Sequence, residues 1–124
     1  MMADALANAA AMEDLGINAD EGLAYCADDL EFYGEMLGEY AREWQESSAE
    51  LARAFEARDW EAYRIRAHSV KSTSRMIGAR GLSDSARELE FAAKEGDVQR
   101  IDGMHARFMA DYAALADGIR ALFG

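Results

Sequence analysis

Not one proline interrupts the 124 residues, alanine occurs 26 times, and Val, Ile and Thr together occur only eight times. Proline-free chains rich in strong helix formers can run long helices, and this one has few of the β-branched residues that favour a pleated sheet. A β-sandwich or barrel is thereby excluded. The length suits one core of ordinary size rather than two. A single all-α domain is the expectation.

The spacing of apolar residues divides that domain into helices. Residues 1–14 read as an Ala-rich N-terminal extension, at most a short helix, because Leu6, Ala9, Ala10 and Met12 offer little to bury. Asn18, Ala19 or Asp20 caps a short helix through about Tyr25, and Asp28 or Asp29 starts a long one running to about Ala57. In the long helix Phe32, Met36, Tyr40, Trp44, Leu51 and Phe55 recur at three-to-four spacing, which predicts one apolar face. Asp59 caps the next, with Trp60, Tyr63, Ala67, Val70 and Ile77 inward, until Gly78 and Gly81 interrupt. Leu82, Ala86, Leu89 and Ala93 form a shorter stripe ending at Gly96, and Asp97 caps a last helix carrying Ile101, Met104, Phe108, Tyr112, Leu115, Ile119 and Leu122. Loops this short force neighbouring helices antiparallel. Residues 15–124 are thus predicted to form an antiparallel up-and-down four-helix bundle, preceded by one or two short N-terminal helices.

Charge narrows the function. Thirteen basic against 24 acidic residues give a net charge of −11, which opposes a nucleic-acid backbone or an anionic lipid surface. No run approaches the roughly 20 apolar residues of a membrane span, and the opening carries Asp4 and Glu13 without a basic residue, unlike a signal peptide. Cys26 is the sole cysteine, which fits a reducing cytoplasm. Residues 62–83 break the acidic pattern: they hold Arg64, Arg66, Lys71, Arg75 and Arg80 and no acid.

Within that positive island lies His68. At about 100° per residue, Arg64, Lys71 and Arg75 fall within about 60° of the histidine, whereas Tyr63, Ala67, Val70 and Ile77 fall on the opposite side. His68 therefore points to solvent on a stripe of cations. Cations beside a ring disfavour the imidazolium, and a neutral imidazole nitrogen is a nucleophile near pH 7. Its target would be negatively charged. A phosphoryl group fits, because Lys71, aided by Arg64 or Arg75, would neutralise charge on the phosphoryl oxygens.

The run Ala67-His68-Ser69-Val70-Lys71-Ser72-Thr73-Ser74-Arg75-Met76-Ile77-Gly78-Ala79, continued by Leu82, resembles the signature of histidine-containing phosphotransfer (HPt) domains. In that family the histidine is followed by an apolar residue two positions on, Lys three on, Gly or Ser four on and Gly ten on. Flanking elements extend the resemblance to roughly residues 15–120. It implies a carrier, not an enzyme, that accepts a phosphoryl group from the aspartyl phosphate of one receiver domain and passes it to another. His68 would be the acceptor, through Nε2, with Lys71 assisting by charge. Ser72 stands where many members have Gly and still admits a receiver's loops, and Gly78 would permit tight helix packing near the site. The resemblance places Mg²⁺ on the receiver of a response regulator or hybrid kinase and none on this chain. Ser72 and Gly78 are accordingly counted, with Arg64, Ile65, Arg75 and Met76, in the partner-binding surface.

Other sites are weaker. No GxxxxGK[ST] or GxGxxG is present for a nucleotide. Asp102-x-x-His105 is the nearest approach to the paired Glu-x-x-His of a di-iron bundle, and Ile65 occupies the position needed before His68. His105 reads as a boundary residue and Cys26 as an inert thiol. The competing functional reading is a helical-bundle adaptor that docks a receiver or kinase without transferring anything. Once the helices have buried their stripes no extended apolar face remains, so a monomer is expected.

Overall fold

A computed structural model describes residues 9–123, and every described element is helical: α1 (Ala9–Asp14), α2 (Ala19–Tyr25), α3 (Leu30–Ala57), α4 (Trp60–Met76), α5 (Arg80–Glu95) and α6 (Val98–Phe123). Helix starts follow side-chain caps. Asn18 Oδ1 accepts from the Glu21 N–H, Asp29 from Phe32 and Asp59 from Ala62, each at 3.1 Å, and Asp97 accepts from Arg100 at 3.2 Å. Helix α5 has no such cap, its N-cap being Ala79, and it ends at Gly96 in the left-handed conformation. Residues 1–8 of the expected extension lie outside the described residues.

The four long helices close a ring in which α3 packs on α4 and α6, and α5 packs on α4 and α6. The most extensive pair is α4 with α5, and the buried residues of the two include the small Ala67 and Ser74 on α4 and Ser83 and Ala86 on α5. Ser83 Oγ donates to the Lys71 carbonyl at 2.8 Å and pins the register of the pair. Inside the ring, Leu37, Leu51, Tyr63, Val70, Leu89, Ile101, Phe108, Tyr112 and Ile119 form one core. The buried tyrosine hydroxyls are satisfied: Tyr33 donates to the Ile77 carbonyl at 2.8 Å, Tyr40 pairs with Ser74 Oγ at 2.7 Å, and Tyr63 with His105 Nδ1 at 2.9 Å.

Three expectations need correction. The apolar stripe at the start of α3 is displaced by one residue: Tyr33 and Leu37 are buried, whereas Phe32 is 43% exposed. Both phases offer an apolar residue every fourth position, and the Tyr33 hydroxyl has a partner inside. The N-terminal segment does find something to bury, since Met12 and Ile17 join the core and Leu15 packs on Gly118 of α6. Gly78, assigned to the partner surface, is buried instead. It holds φ +88°, and a Cβ there would strike the backbone of Asn18, whose N–H donates to the Gly78 carbonyl at 2.8 Å. Gly78 thus joins α4 to the α1–α2 linker.

Candidate functional site

Ala67 and Val70 are buried in the ring and turn the intervening face of α4 outward. His68 stands on that face with 56% of its side chain exposed. Three residues on, Lys71 lies on the same side with 25% exposure.

Between them reaches a side chain that the sequence reading did not include. Glu90 of α5 places Oε2 at 2.7 Å from Nδ1 of His68 and Oε1 at 2.7 Å from Nζ of Lys71. Its side chain is 19% exposed. Burial alone would raise the Glu90 carboxyl, but the hydrogen bonds from Lys71 and His68, and their charges, outweigh it and hold the group below the usual glutamate range. Glu90 is therefore a carboxylate, which can only accept, so the proton of the bond sits on Nδ1 of His68. The Nε2 atom meets no hydrogen-bond partner among the described residues, and in the neutral ring it is the nitrogen that carries the lone pair. That is the arrangement of a fixed, outward-facing nucleophile.

The cation stripe is thus opposed, contrary to the reading from sequence alone. The signal for Glu90 was its spacing: four residues after Ala86 and three before Ala93, it sits at the flank of the α5 apolar stripe, where a side chain meets the neighbouring helix.

The remaining candidates fall into place around this centre. Arg64 is clamped by Glu61, with Nη2 at 2.6 Å and Nε at 3.2 Å from its two carboxylate oxygens, and this pair holds the Glu61 carboxyl below its usual range. Arg75 is exposed and makes no ion pair with any described residue. Ser72 is exposed, Ile65 is 52% exposed and Met76 is half-buried, so all three border the His68 face. On α5, Arg87 and Lys94 lie one turn to either side of Glu90 and are exposed, and Phe91 beside them is 58% exposed. Among the described residues, no group of three or more His, Cys, Asp or Glu side chains converges as metal ligands would.

His105 stands apart. Its ring stacks on Phe55 at 3.8 Å with 1° between the planes and bonds Tyr63 through Nδ1, on the side of α4 away from His68. Burial lowers its pKa, with Glu56 and Asp102 opposing. Cys26 is buried, and burial followed by the charge of Asp29 raises its thiol pKa, which suppresses the reactive thiolate. No helix is long and apolar enough to cross a membrane among the described residues.

No curated protein and no solved structure gives a match. Residues 35–122, which span most of α3 through α6 and include the whole His68 centre, match the family model described as Hpt domain. With that match over more than two thirds of its length, the chain belongs to the Hpt domain family, whose members carry phosphoryl groups in two-component signalling.

Proposed function

We propose that this protein is a phosphorelay intermediate in which Nε2 of His68 takes a phosphoryl group from the aspartyl phosphate of one receiver domain and delivers it to another. The observation that carries this reading is the ring itself: Nδ1 is engaged by Glu90, Nε2 has no hydrogen-bond partner among the described residues, and more than half of the side chain is exposed. Lys71 lies on the same face and supplies positive charge for the phosphoryl oxygens, although in the resting arrangement it is paired with Glu90. The chain acts as a carrier without a nucleotide or metal of its own, and the Mg²⁺ that in-line phosphoryl transfer uses is the receiver's.

The ring of long helices is read as an antiparallel up-and-down bundle, with residues 15–124 as the working unit and the protein a cytoplasmic monomer. Receiver docking would use Ile65, Ser72, Arg75 and Met76 around His68, with Arg64 contributing through its paired guanidinium. An acidic receiver pocket complements this local positive charge, and the acidic remainder of the surface discourages other contacts.

Incubation with a panel of phosphorylated receiver domains and Mg²⁺ tests the proposal. Acid-labile, alkali-stable label that disappears in His68→Gln is the expected result. Binding without label from any receiver would replace the carrier by an adaptor.

A further inference from the structure

We infer that Glu90 keeps the proton on Nδ1 of His68 after the ring has been phosphorylated, which poises the phosphoryl group for onward transfer rather than storage. This rests on the carrier function proposed for His68.

In the transfer step the Nε2 lone pair forms the N–P bond, the P–O bond to the receiver's aspartate breaks, and the carboxylate leaves with the electron pair. The imidazole entered neutral with one proton on Nδ1, so the phosphorylated ring is cationic with that proton still in place. The fate of this proton sets the leaving group of the second transfer. If it is lost to water, onward transfer must expel an imidazolate, a poor leaving group. If it is retained, the next receiver's aspartate displaces neutral imidazole, and the carrier returns to its starting form with no proton moved.

The surroundings of the ring decide between these outcomes. On α4, Lys71, Arg75 and the Glu61-paired Arg64 share its stripe, and on α5, Arg87 and Lys94 lie one turn to either side of Glu90; the charge of all of these cations favours losing the proton. The Arg66 and Glu50 pair on the α3 side cancels itself. Glu90 is the one carboxylate that touches the ring among the described residues, at 2.7 Å from Nδ1. Its other oxygen is held by Lys71 at 2.7 Å, which keeps it ionised and stops it rotating away. An amide at this position could turn a donor toward Nδ1, whereas a carboxylate cannot. Glu90 is accordingly a positioning residue whose charge, beyond its shape, sets the state of the phosphorylated ring.

The test uses phosphoramidate as the phosphoryl donor, without any receiver, to charge the wild-type chain, Glu90→Gln and Glu90→Ala. Loss of the phosphoryl group is followed by ³¹P NMR from pH 5 to 9. Wild type should pass into the fast-decaying regime at a pH higher than either variant by about one unit or more, the usual scale for one opposite charge in contact. At pH 7.5 this appears as decay roughly tenfold faster in wild type than in Glu90→Gln, and transfer to a Mg²⁺-loaded receiver should slow in the variant in the same proportion. Superimposable pH profiles in chains all charged on His68 would overturn the inference while leaving the carrier reading intact. Failure of wild type to be charged on His68 by phosphoramidate or by any phosphorylated receiver would overturn both. Nitrogen-15 shifts of the unphosphorylated ring give a second readout, expected to show Nδ1–H in wild type and a mixture of tautomers in Glu90→Ala.

Discussion

The hydroxyl of Tyr33, near the start of α3, donates to the carbonyl of Ile77, just past the end of α4, at 2.8 Å and out of reach of water. The carbonyl lies where α4 has run out of helical partners, and Tyr33 serves as its side-chain cap. Burial pushes the Tyr33 hydroxyl above its ordinary pKa, so it stays a donor at any physiological pH. Removing the hydroxyl leaves a buried acceptor unpaired. Tyr33→Phe should therefore cost about 1–3 kcal/mol of unfolding free energy in urea titrations, with phosphoryl acceptance by His68 unchanged. A loss below about 0.5 kcal/mol would mean that water replaces the hydroxyl.

Gly78 gives a sharper prediction at the same end of the bundle. It has φ +88°, and the space a Cβ would occupy is filled by the Asn18 backbone, with the Asn18 carbonyl carbon 2.9 Å away. Gly78→Ala must adopt an unfavourable φ, at about 1–2 kcal/mol, and also displace the α1–α2 linker. Destabilisation beyond about 2 kcal/mol, with more rapid amide exchange in Asn18–Tyr25, is the expected outcome. Gly81→Ala, where nothing lies within 4 Å of the added methyl, is the control and should be neutral or stabilising. Equal behaviour of the two variants would refute the bridging role of Gly78.

These two positions also show what was legible in the sequence and what was not. Caps at Asn18, Asp29, Asp59 and Asp97, the terminator Gly96 and the outward face of His68 follow from spacing within one helix, and local rules suffice for them. The phase of the first turns of α3 does not, because Phe32-Met36 and Tyr33-Leu37 are equally periodic and the second is held by partners distant in sequence, the Ile77 carbonyl among them. Gly78 read as a site residue because its motif position is ten beyond His68, yet its packing partner is Asn18, sixty residues earlier. Glu90 escaped for the same reason. Its partners are on another helix, and the register that brings it to His68 is set by Ser83 on the Lys71 carbonyl and by the small residues between α4 and α5.

The two arginines flanking His68 differ in how much charge they present. Arg75 makes no ion pair with a described residue, whereas Arg64 is doubly bonded to Glu61. Docking of an acidic receiver should feel Arg75 in full and the Arg64–Glu61 pair as a near-neutral dipole. Arg75→Ala should slow association with the cognate receiver by roughly two- to fivefold at low salt, an effect that fades as ionic strength rises. The Glu61→Ala, Arg64→Ala double variant should stay within about twofold of wild type in the same stopped-flow measurement. If the double variant is as slow as Arg75→Ala, the guanidinium of Arg64 acts by direct contact.

His105 predicts a pH dependence of stability that is separate from phosphotransfer. Its ring is stacked on Phe55 and bonded to Tyr63, and burial holds its folded pKa below the ordinary histidine value. Protonation is therefore easier in the unfolded chain, where histidine titrates near about 6.5. Above that pH the ring is neutral in both states and the native contacts are at full strength. As pH falls below it the unfolded chain takes up the proton first, and stability declines until the folded ring titrates as well. The decline from Glu90 and Glu61, whose folded pKa values are also lowered, belongs to a more acidic window below the usual glutamate range, so the two are separable. Urea titrations at pH 7.5, 6.5 and 5.5 should show wild type losing stability across this interval more steeply than His105→Phe, which retains an aromatic ring against Phe55 and has no proton to gain. Parallel profiles for the two proteins would show that the Tyr63–His105–Phe55 stack accepts the imidazolium as readily as water does.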